Sequence, residues 1–114
     1  MLKQLLILSF ISLALISCNK EEIHNVIPRC INNLITEFKK SASCNDSKVD
    51  QYIFQNQVVF VFKPGSCGAD MQSEVFDMNC AILGSLGGIT GNTEINKEDF
   101  ANAQFIKTVW ENNY

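Results

Sequence analysis

The feature that most constrains the fold of this chain is a pair of runs dense in β-branched and aromatic residues. They span residues 49–54 and 58–62, and both have the composition of β-strands. Gln55-Asn56 fits a two-residue turn between them, since Asn tolerates the positive φ that hairpin turns require. The apolar residues then divide between two faces, with Val49, Ile53, Val58, Phe60 and Phe62 on one and Tyr52, Phe54, Val59 and Val61 on the other. Neither face is predicted to be fully solvated.

Other elements place this hairpin in an α+β domain. Pro28 is expected at the first position of an amphipathic helix that ends near Lys39-Lys40, because proline is favoured there and cations suit a helix C-terminus. Residues 74–76 and 81–83 suggest a second hairpin, 84–91 a glycine-rich loop, 96–100 a capped helical turn and 105–110 a last strand. The predicted architecture is one N-terminal amphipathic helix packed on a small antiparallel sheet of about five short strands.

The first 17 residues have the layout of a secretory signal. One basic residue, Lys3, precedes an apolar run, and a small residue, Ser17, precedes Cys18. The run is shorter than the roughly 20 apolar residues of a membrane-spanning helix. We therefore expect residues 1–17 to be a signal peptide, 18–27 a tether and 28–114 a single domain.

The end of this signal, Leu15-Ile16-Ser17-Cys18, resembles the lipobox of bacterial lipoproteins. The resemblance implies cleavage before Cys18 and acylation of that cysteine, which would tether the chain to a membrane. Lys20-Glu21-Glu22 is similar to the export signal for surface lipoproteins in Bacteroidota. The expected location is the outer membrane, facing outward or, failing that, facing the periplasm.

Four cysteines remain after Cys18, and they predict two disulfides. An even count in a small exported domain indicates covalent bracing of a marginal core. Their spacing lacks the clustering of zinc ligands. A turn at Gln55-Asn56, continued outward along both strands, places Cys44 opposite Cys67 and leaves Cys30 for Cys80. A turn one residue later would place Cys44 opposite Ala69, so the pairing remains one of three possibilities.

From residue 49 to residue 110 the chain resembles a family of small Bacteroidota lipoproteins known only as a domain of unknown function. Four stretches carry the resemblance: the aromatic hairpin 52–62, Cys67–Asp77 with its Cys-x-x-Asp, the loop Gly87-Gly88-Ile89-Thr90-Gly91, and the closing strand 106–110 that ends at Trp110. The resemblance implies an exported lipoprotein and assigns no activity.

Few residues in the sequence are candidates for catalysis or for binding an ion. Asp70, Glu74 and Asp77 form one acidic cluster that would suit a cation if folded together, although a solvated turn is the commoner outcome. The N–H groups of Gly87, Gly88 and Gly91 would suit an anion, although tight turning explains them equally. The single histidine, His24, lies in the tether. We predict no catalytic residue, cofactor or bound metal.

Charge argues against a polyanionic partner. The formal net charge is −3 at pH 7, and Lys39-Lys40 is the only adjacent basic pair, so nucleic-acid binding is not expected. The leading expectation is a lipid-anchored, non-enzymatic domain that binds a protein or glycan at the cell envelope. A small metal-assisted hydrolase and a passive structural component are the alternatives.

Overall fold

The structure, a computed structural model, describes residues 26–113. The predicted signal peptide, Cys18, the Lys20-Glu21-Glu22 motif and His24 lie outside these residues. The described part contains an α-helix, α1 (Arg29–Ser41), with Lys39 and Lys40 in its last turn. Pro28 precedes the helix instead of occupying its first position, and its carbonyl accepts a hydrogen bond from the Asn32 N–H at 3.0 Å. The helix therefore begins one residue later than predicted.

Between the helix and residue 113 the structure has seven strands. Five of them form one antiparallel sheet in the order β4-β3-β2-β1-β7, so the last strand returns to lie beside the first. The other two, β5 and β6, form a separate two-stranded hairpin. The strands are β1 (Lys48–Phe54), β2 (Gln57–Lys63), β3 (Gln72–Asp77), β4 (Ile82–Gly87), β5 (Glu94–Ile95), β6 (Glu98–Asp99) and β7 (Gln104–Glu111). One helix with a five-stranded antiparallel sheet confirms the predicted fold class.

The β1–β2 hairpin has the register that the sequence predicts. Phe54 pairs with Gln57, and the ladder continues to Lys48 opposite Lys63. Gln55 and Asn56 both have left-handed backbones, with φ of 51° and 59°. This is the conformation that makes a two-residue hairpin turn compatible with strand twist.

The sheet has two apolar faces, as predicted. On the face that we call the helix face, α1 packs through Ile31 and Ile35 on a cluster that includes Val49, Val58, Phe60 and Phe62. The opposite face carries a second cluster, formed by Phe54, Val59, Val61, Val75 and Ile95. Ile95 belongs to β5, so the small β5–β6 hairpin, together with Phe100, covers this face.

The segment after β3 differs from prediction in two places. Residues 84–87, expected in a loop, belong to β4. Gly84 suits this strand because an added Cβ would lie 2.9 Å from the Ile95 side chain, which packs directly on the backbone. Residues 96–100, expected as a helical turn, instead contain the β5–β6 turn at Asn96-Lys97 and strand β6. The helical turn is a 3₁₀ helix (Phe100–Asn102), and Asp99 caps it by accepting from the Ala101 N–H at 2.9 Å.

Two disulfides brace this arrangement, with the pairing that the hairpin register favours. Cys30–Cys80 joins α1 to the β3–β4 turn, with a Cα–Cα distance of 6.2 Å. Cys44–Cys67 joins the segments that flank the β1–β2 hairpin, with a Cα–Cα distance of 5.5 Å. Cys44 is buried and Cys67 is exposed.

Candidate functional site

A groove with a largely apolar lining lies on the helix face, between α1 and strand β3. It forms because α1 packs over β1, β2 and β7, where Phe38 contacts Phe62 and Trp110 edge-on at 5.4 and 5.6 Å. The neighbouring part of β3 has no such cover. The groove has a volume of about 270 Å³ and is lined by Leu34, Glu37, Phe38, Ser41, Phe62, Pro64, Gln72, Glu74 and Phe76.

The floor of the groove is apolar and its rim is polar. Phe62 and Phe76, from neighbouring strands, meet edge-to-face with ring centroids 5.1 Å apart. Phe62 is nearly fully buried, whereas Phe76 is half-buried and presents part of its ring to the groove. Ile82, the cross-strand partner of Phe76 on β4, is 58% exposed and extends the apolar surface toward the sheet edge.

In the part of the chain that the structure describes, the ionisable groups that line the groove are both acidic. Glu37 on α1 pairs with Lys40 at 3.1 Å, and both side chains are exposed, so this pair is weak in water. Glu74, on β3, makes no ion pair or side-chain hydrogen bond among residues 26–113. The groove therefore presents one unpaired carboxylate and one loosely paired carboxylate above an aromatic floor.

The predicted acidic cluster does not converge. Glu74 pairs with Phe62 and so lies on the helix face, whereas Asp77 pairs with Val59 and lies on the opposite face. Asp77 is also used locally, since its carboxylate accepts hydrogen bonds from the N–H groups of Asn79 and Ala81 at 2.8 and 2.9 Å. Asp70 lies in the preceding loop with φ of 55°. Within residues 26–113 no three His, Cys, Asp or Glu side chains are grouped to hold a metal.

The glycine loop closes on itself. Gly87 and Asn92 exchange backbone hydrogen bonds at 2.8 and 3.2 Å, and the Gly91 N–H donates to the Gly88 carbonyl at 3.1 Å. The N–H groups of Gly87 and Gly91 are thus occupied within the turn. The loop is a tight connection, and only Gly88 of the three candidate glycines retains an N–H outside these bonds.

One polar cluster was missed by the sequence analysis. Asp50, in the middle of β1, is only 1% exposed. Its carboxylate accepts from Lys63 Nζ at 2.8 Å and from the Thr108 hydroxyl at 2.7 Å, and Lys48 Nζ lies 3.6 Å away. Lys63 also donates to the Tyr52 hydroxyl at 2.7 Å. A lone acid within an apolar strand was the available signal, because such a residue requires a cross-strand partner.

These contacts decide the charge states of the cluster. Burial by itself raises the pKa of Asp50, but the hydrogen bonds from Lys63 and Thr108 outweigh it and the pKa lies below its ordinary value of 3.8. Burial lowers the pKa of Lys63, but its bonds to Asp50 and Tyr52 prevail and the pKa lies above 10.5. Both groups are ionised at neutral pH. Their ion pair joins β1 to β2, and the hydrogen bond from Thr108 to Asp50 adds β7.

The geometry defines the class of protein: a disulfide-braced α+β domain with an open, acidic-rimmed groove beside its helix. No helix within residues 26–113 combines the length and apolar character needed to span a membrane. The chain belongs to the family described as a domain of unknown function, DUF6970, which matches residues 36–112. The expected resemblance to a family of unknown function is therefore confirmed, and its lipoprotein character remains a prediction. Neither a curated protein nor a solved structure matches the chain.

Proposed function

We propose that this protein is a non-enzymatic interaction domain, exported from the cytoplasm and tethered to the outer membrane through lipid on Cys18. The observation that carries the proposal is the open groove between α1 and β3, where the half-buried ring of Phe76 is partly exposed in the structure of residues 26–113. Exposed apolar surface framed by polar residues is typical of sites where a partner docks.

The arrangement of polar groups supports binding over hydrolysis. A metal-assisted hydrolase would need carboxylates that converge on one pocket. Glu74 and Asp77 instead lie on opposite faces of β3. Lys63 and Asp50 are committed to each other on the face opposite the groove. Glu37 and Glu74 do line one groove, but Glu37 pairs with Lys40, and no third metal-ligating side chain joins them within residues 26–113.

The sequence supports the proposed location. Residues 1–17 have the composition of a signal peptide, and Leu15-Ile16-Ser17-Cys18 resembles a lipobox. Two disulfides in so small a domain suit an oxidising compartment outside the cytoplasm. With two or three acyl chains on one residue, attachment would be effectively permanent.

Replacement of Cys18 tests the anchor. The Cys18→Ser protein should leave the membrane fraction, and its intact mass should lack acyl chains. Ser17→Ala serves as the control, because it keeps a small residue before the cysteine and should remain lipidated. An unlipidated wild-type protein, or a Cys18→Ser protein that still fractionates with membranes, would contradict the anchor.

Surface display is tested separately. Replacing Lys20, Glu21 and Glu22 by alanine should reduce cleavage by protease added to intact cells, while acylation remains unchanged. Equal cleavage of the wild-type and variant proteins would contradict sorting by this motif, and the lipid anchor would be unaffected by that result.

Site-specific photocrosslinking tests the interaction itself. A photoreactive amino acid at Ser41, on the rim of the groove, should form a discrete adduct in intact cells. The same amino acid at Thr90, in the exposed glycine loop, should not, since that loop lies outside the groove. Absence of any adduct at Ser41, or the same adduct at Thr90, would argue against a binding role for the groove.

A further inference from the structure

We propose that the groove between α1 and β3 binds a basic, apolar polypeptide segment. An apolar side chain of the partner would pack on Phe62 and Phe76, and a neighbouring lysine or arginine would lie against Glu74. This inference rests on the proposed binding function and names the chemistry of the partner.

The size of the groove favours a side chain over a separate small molecule. At about 270 Å³ it lies just below the roughly 300–1,000 Å³ of most small-molecule sites. It is also open along its length, so a bound molecule would remain partly in water. Segments of a polypeptide suit such a surface, because they insert one or two apolar anchors and leave the backbone outside.

Ile82 indicates where a second anchor would lie. It is the cross-strand partner of Phe76, so both side chains project from the helix face. Its side chain is 58% exposed, so apolar surface is available there for contact. A partner segment that passes from the groove across β3 to β4 would cover Phe76 and Ile82 together.

The charge of the groove selects a cationic partner. Among residues 26–113, Glu37 and Glu74 are the only ionisable residues in its lining. Lys40 partly offsets Glu37, whereas Glu74 has no partner among the described residues. An anionic glycan or acidic peptide would face two carboxylates, and a neutral glycan would leave Glu74 unpaired. A lysine or arginine of the partner would pair with Glu74. The net negative charge of the chain would also increase the rate at which a basic partner associates.

Selection from a phage-displayed library of random peptides tests this inference. The bait is the mature chain with Cys18→Ser, folded with both disulfides. Enriched peptides should combine lysine or arginine with leucine, isoleucine or aromatic residues. Their addition should shift amide resonances of groove residues, such as Phe62, Glu74 and Phe76, more than those of the β5–β6 hairpin.

Charge variants test the role of Glu74. Glu74→Gln should weaken binding of a selected peptide by about two- to fivefold, as expected for an exposed ion pair, and Glu74→Lys should weaken it further. Glu94→Gln is the matched control, because it removes the same charge from an exposed position on β5, outside the groove, and should leave affinity unchanged. Raising salt from about 0.1 M to about 1 M shortens the Debye length from about 10 Å to about 3 Å and should remove the difference between Glu74→Gln and wild type.

The outcomes separate this inference from the proposed function. Enrichment of acidic or uncharged peptides, or equal affinity of the Glu74→Gln and wild-type proteins, would overturn the basic-partner inference. A cellular adduct at Ser41 would still support the binding function in that case. Peptides that shift only resonances distant from the groove would overturn the groove as the site.

Discussion

At the scale of single residues, Asp50 is the side chain whose placement is most demanding. A carboxylate that is 1% exposed is tolerated only because Lys63 and Thr108 satisfy its two oxygens at 2.8 and 2.7 Å. These partners come from the two strands that flank β1. The cluster therefore specifies which strands lie next to β1, in addition to any stability it contributes.

Asp50→Asn should lower the free energy of unfolding by about 1.5–3 kcal/mol, since it replaces charge-assisted hydrogen bonds and leaves Lys63 without a counter-ion. Chemical denaturation followed by Trp110 fluorescence provides the measurement. Asp70→Asn removes the same charge from an exposed loop and should change stability by less than about 0.5 kcal/mol. Equal effects of the two substitutions would show that the Asp50–Lys63 pair contributes little.

The same pair predicts the dependence of stability on pH. The pKa of Asp50 is depressed when folded, so its contribution is present above about pH 4 and is lost as the pH falls through the folded value. The pKa of Lys63 is raised when the protein is folded, so its contribution to stability is complete below the ordinary value near 10.5. That contribution is lost as the pH rises through the folded value. Thermal unfolding should show a plateau with losses at both extremes, and Asp50→Asn should reduce both losses. Asp46→Asn is the control. Hydrogen bonds from Ser66 lower the pKa of Asp46, so this substitution should reduce only the loss of stability at low pH and leave the loss at high pH unchanged.

At the scale of elements, the sequence predicts those whose residues carry a clear period. The helix, the β1–β2 hairpin and the last strand were all identified, because apolar residues recur at helical or alternating spacing. The β5–β6 hairpin was not, because each strand has two residues and Ile95 is its one buried side chain. Its position depends on packing of Ile95 against Gly84, which is a tertiary contact that no local pattern contains.

The same reasoning applies to the candidate site. Glu74 could be identified from sequence as a candidate ligand, but its neighbours in the groove could not. Phe38 and Phe76 line the same groove because α1 packs on the sheet to one side of β3, and that placement depends on packing and on the Cys30–Cys80 link. The acidic cluster of Asp70, Glu74 and Asp77 would suit a cation only if the three side chains folded together. Strand alternation separates Glu74 from Asp77.

The two hairpin turns support each other and lead to a prediction. The Gln55 side chain, in the β1–β2 turn, donates to the Asn96 backbone carbonyl in the β5–β6 turn at 3.4 Å and accepts from the Asn96 side-chain amide at 3.2 Å. Lys97 follows Asn96 with φ of 67°, a conformation that is unfavourable for lysine. Lys97→Gly should stabilise the protein by about 0.5–1 kcal/mol, since Asn-Gly is the preferred sequence for such a turn.

Lys97→Ala separates backbone strain from loss of the lysine side chain. Alanine keeps the strain, so this variant should be neutral or destabilised, as measured by the shift in melting temperature. A gain in stability equal to that of Lys97→Gly would indicate that removal of the charge, and not relief of the backbone, is responsible.

At the scale of the whole molecule, the disulfides connect parts that the sheet does not. Cys30–Cys80 fixes the first turn of α1 to the turn of the β3–β4 hairpin, and both α1 and β3 border the groove. Cys44–Cys67 fixes the loop that leads into β3. A domain of this size buries only about 60–65% of its unfolded surface, and covalent links offset that shortfall.

Removing each link should destabilise the protein in a different region. Cys44 and Cys67 are 23 residues apart, so loop-closure entropy predicts a loss of about 3–4 kcal/mol for the double alanine variant. Cys30 and Cys80 are 50 residues apart, which predicts about 4 kcal/mol. Total stability is expected to be about 5–13 kcal/mol, so either loss would be substantial.

Hydrogen exchange locates these effects. Loss of Cys30–Cys80 should reduce amide protection first in α1, because the link joins the helix to the β3–β4 turn. Loss of Cys44–Cys67 should reduce protection at the β3 end of the sheet while α1 remains protected. Peptide mapping without reduction establishes the pairing in the wild type. A Cys30–Cys67 link would contradict the hairpin register, and four alkylatable thiols would contradict the bracing altogether, leaving the groove without the constraint that positions α1 beside β3.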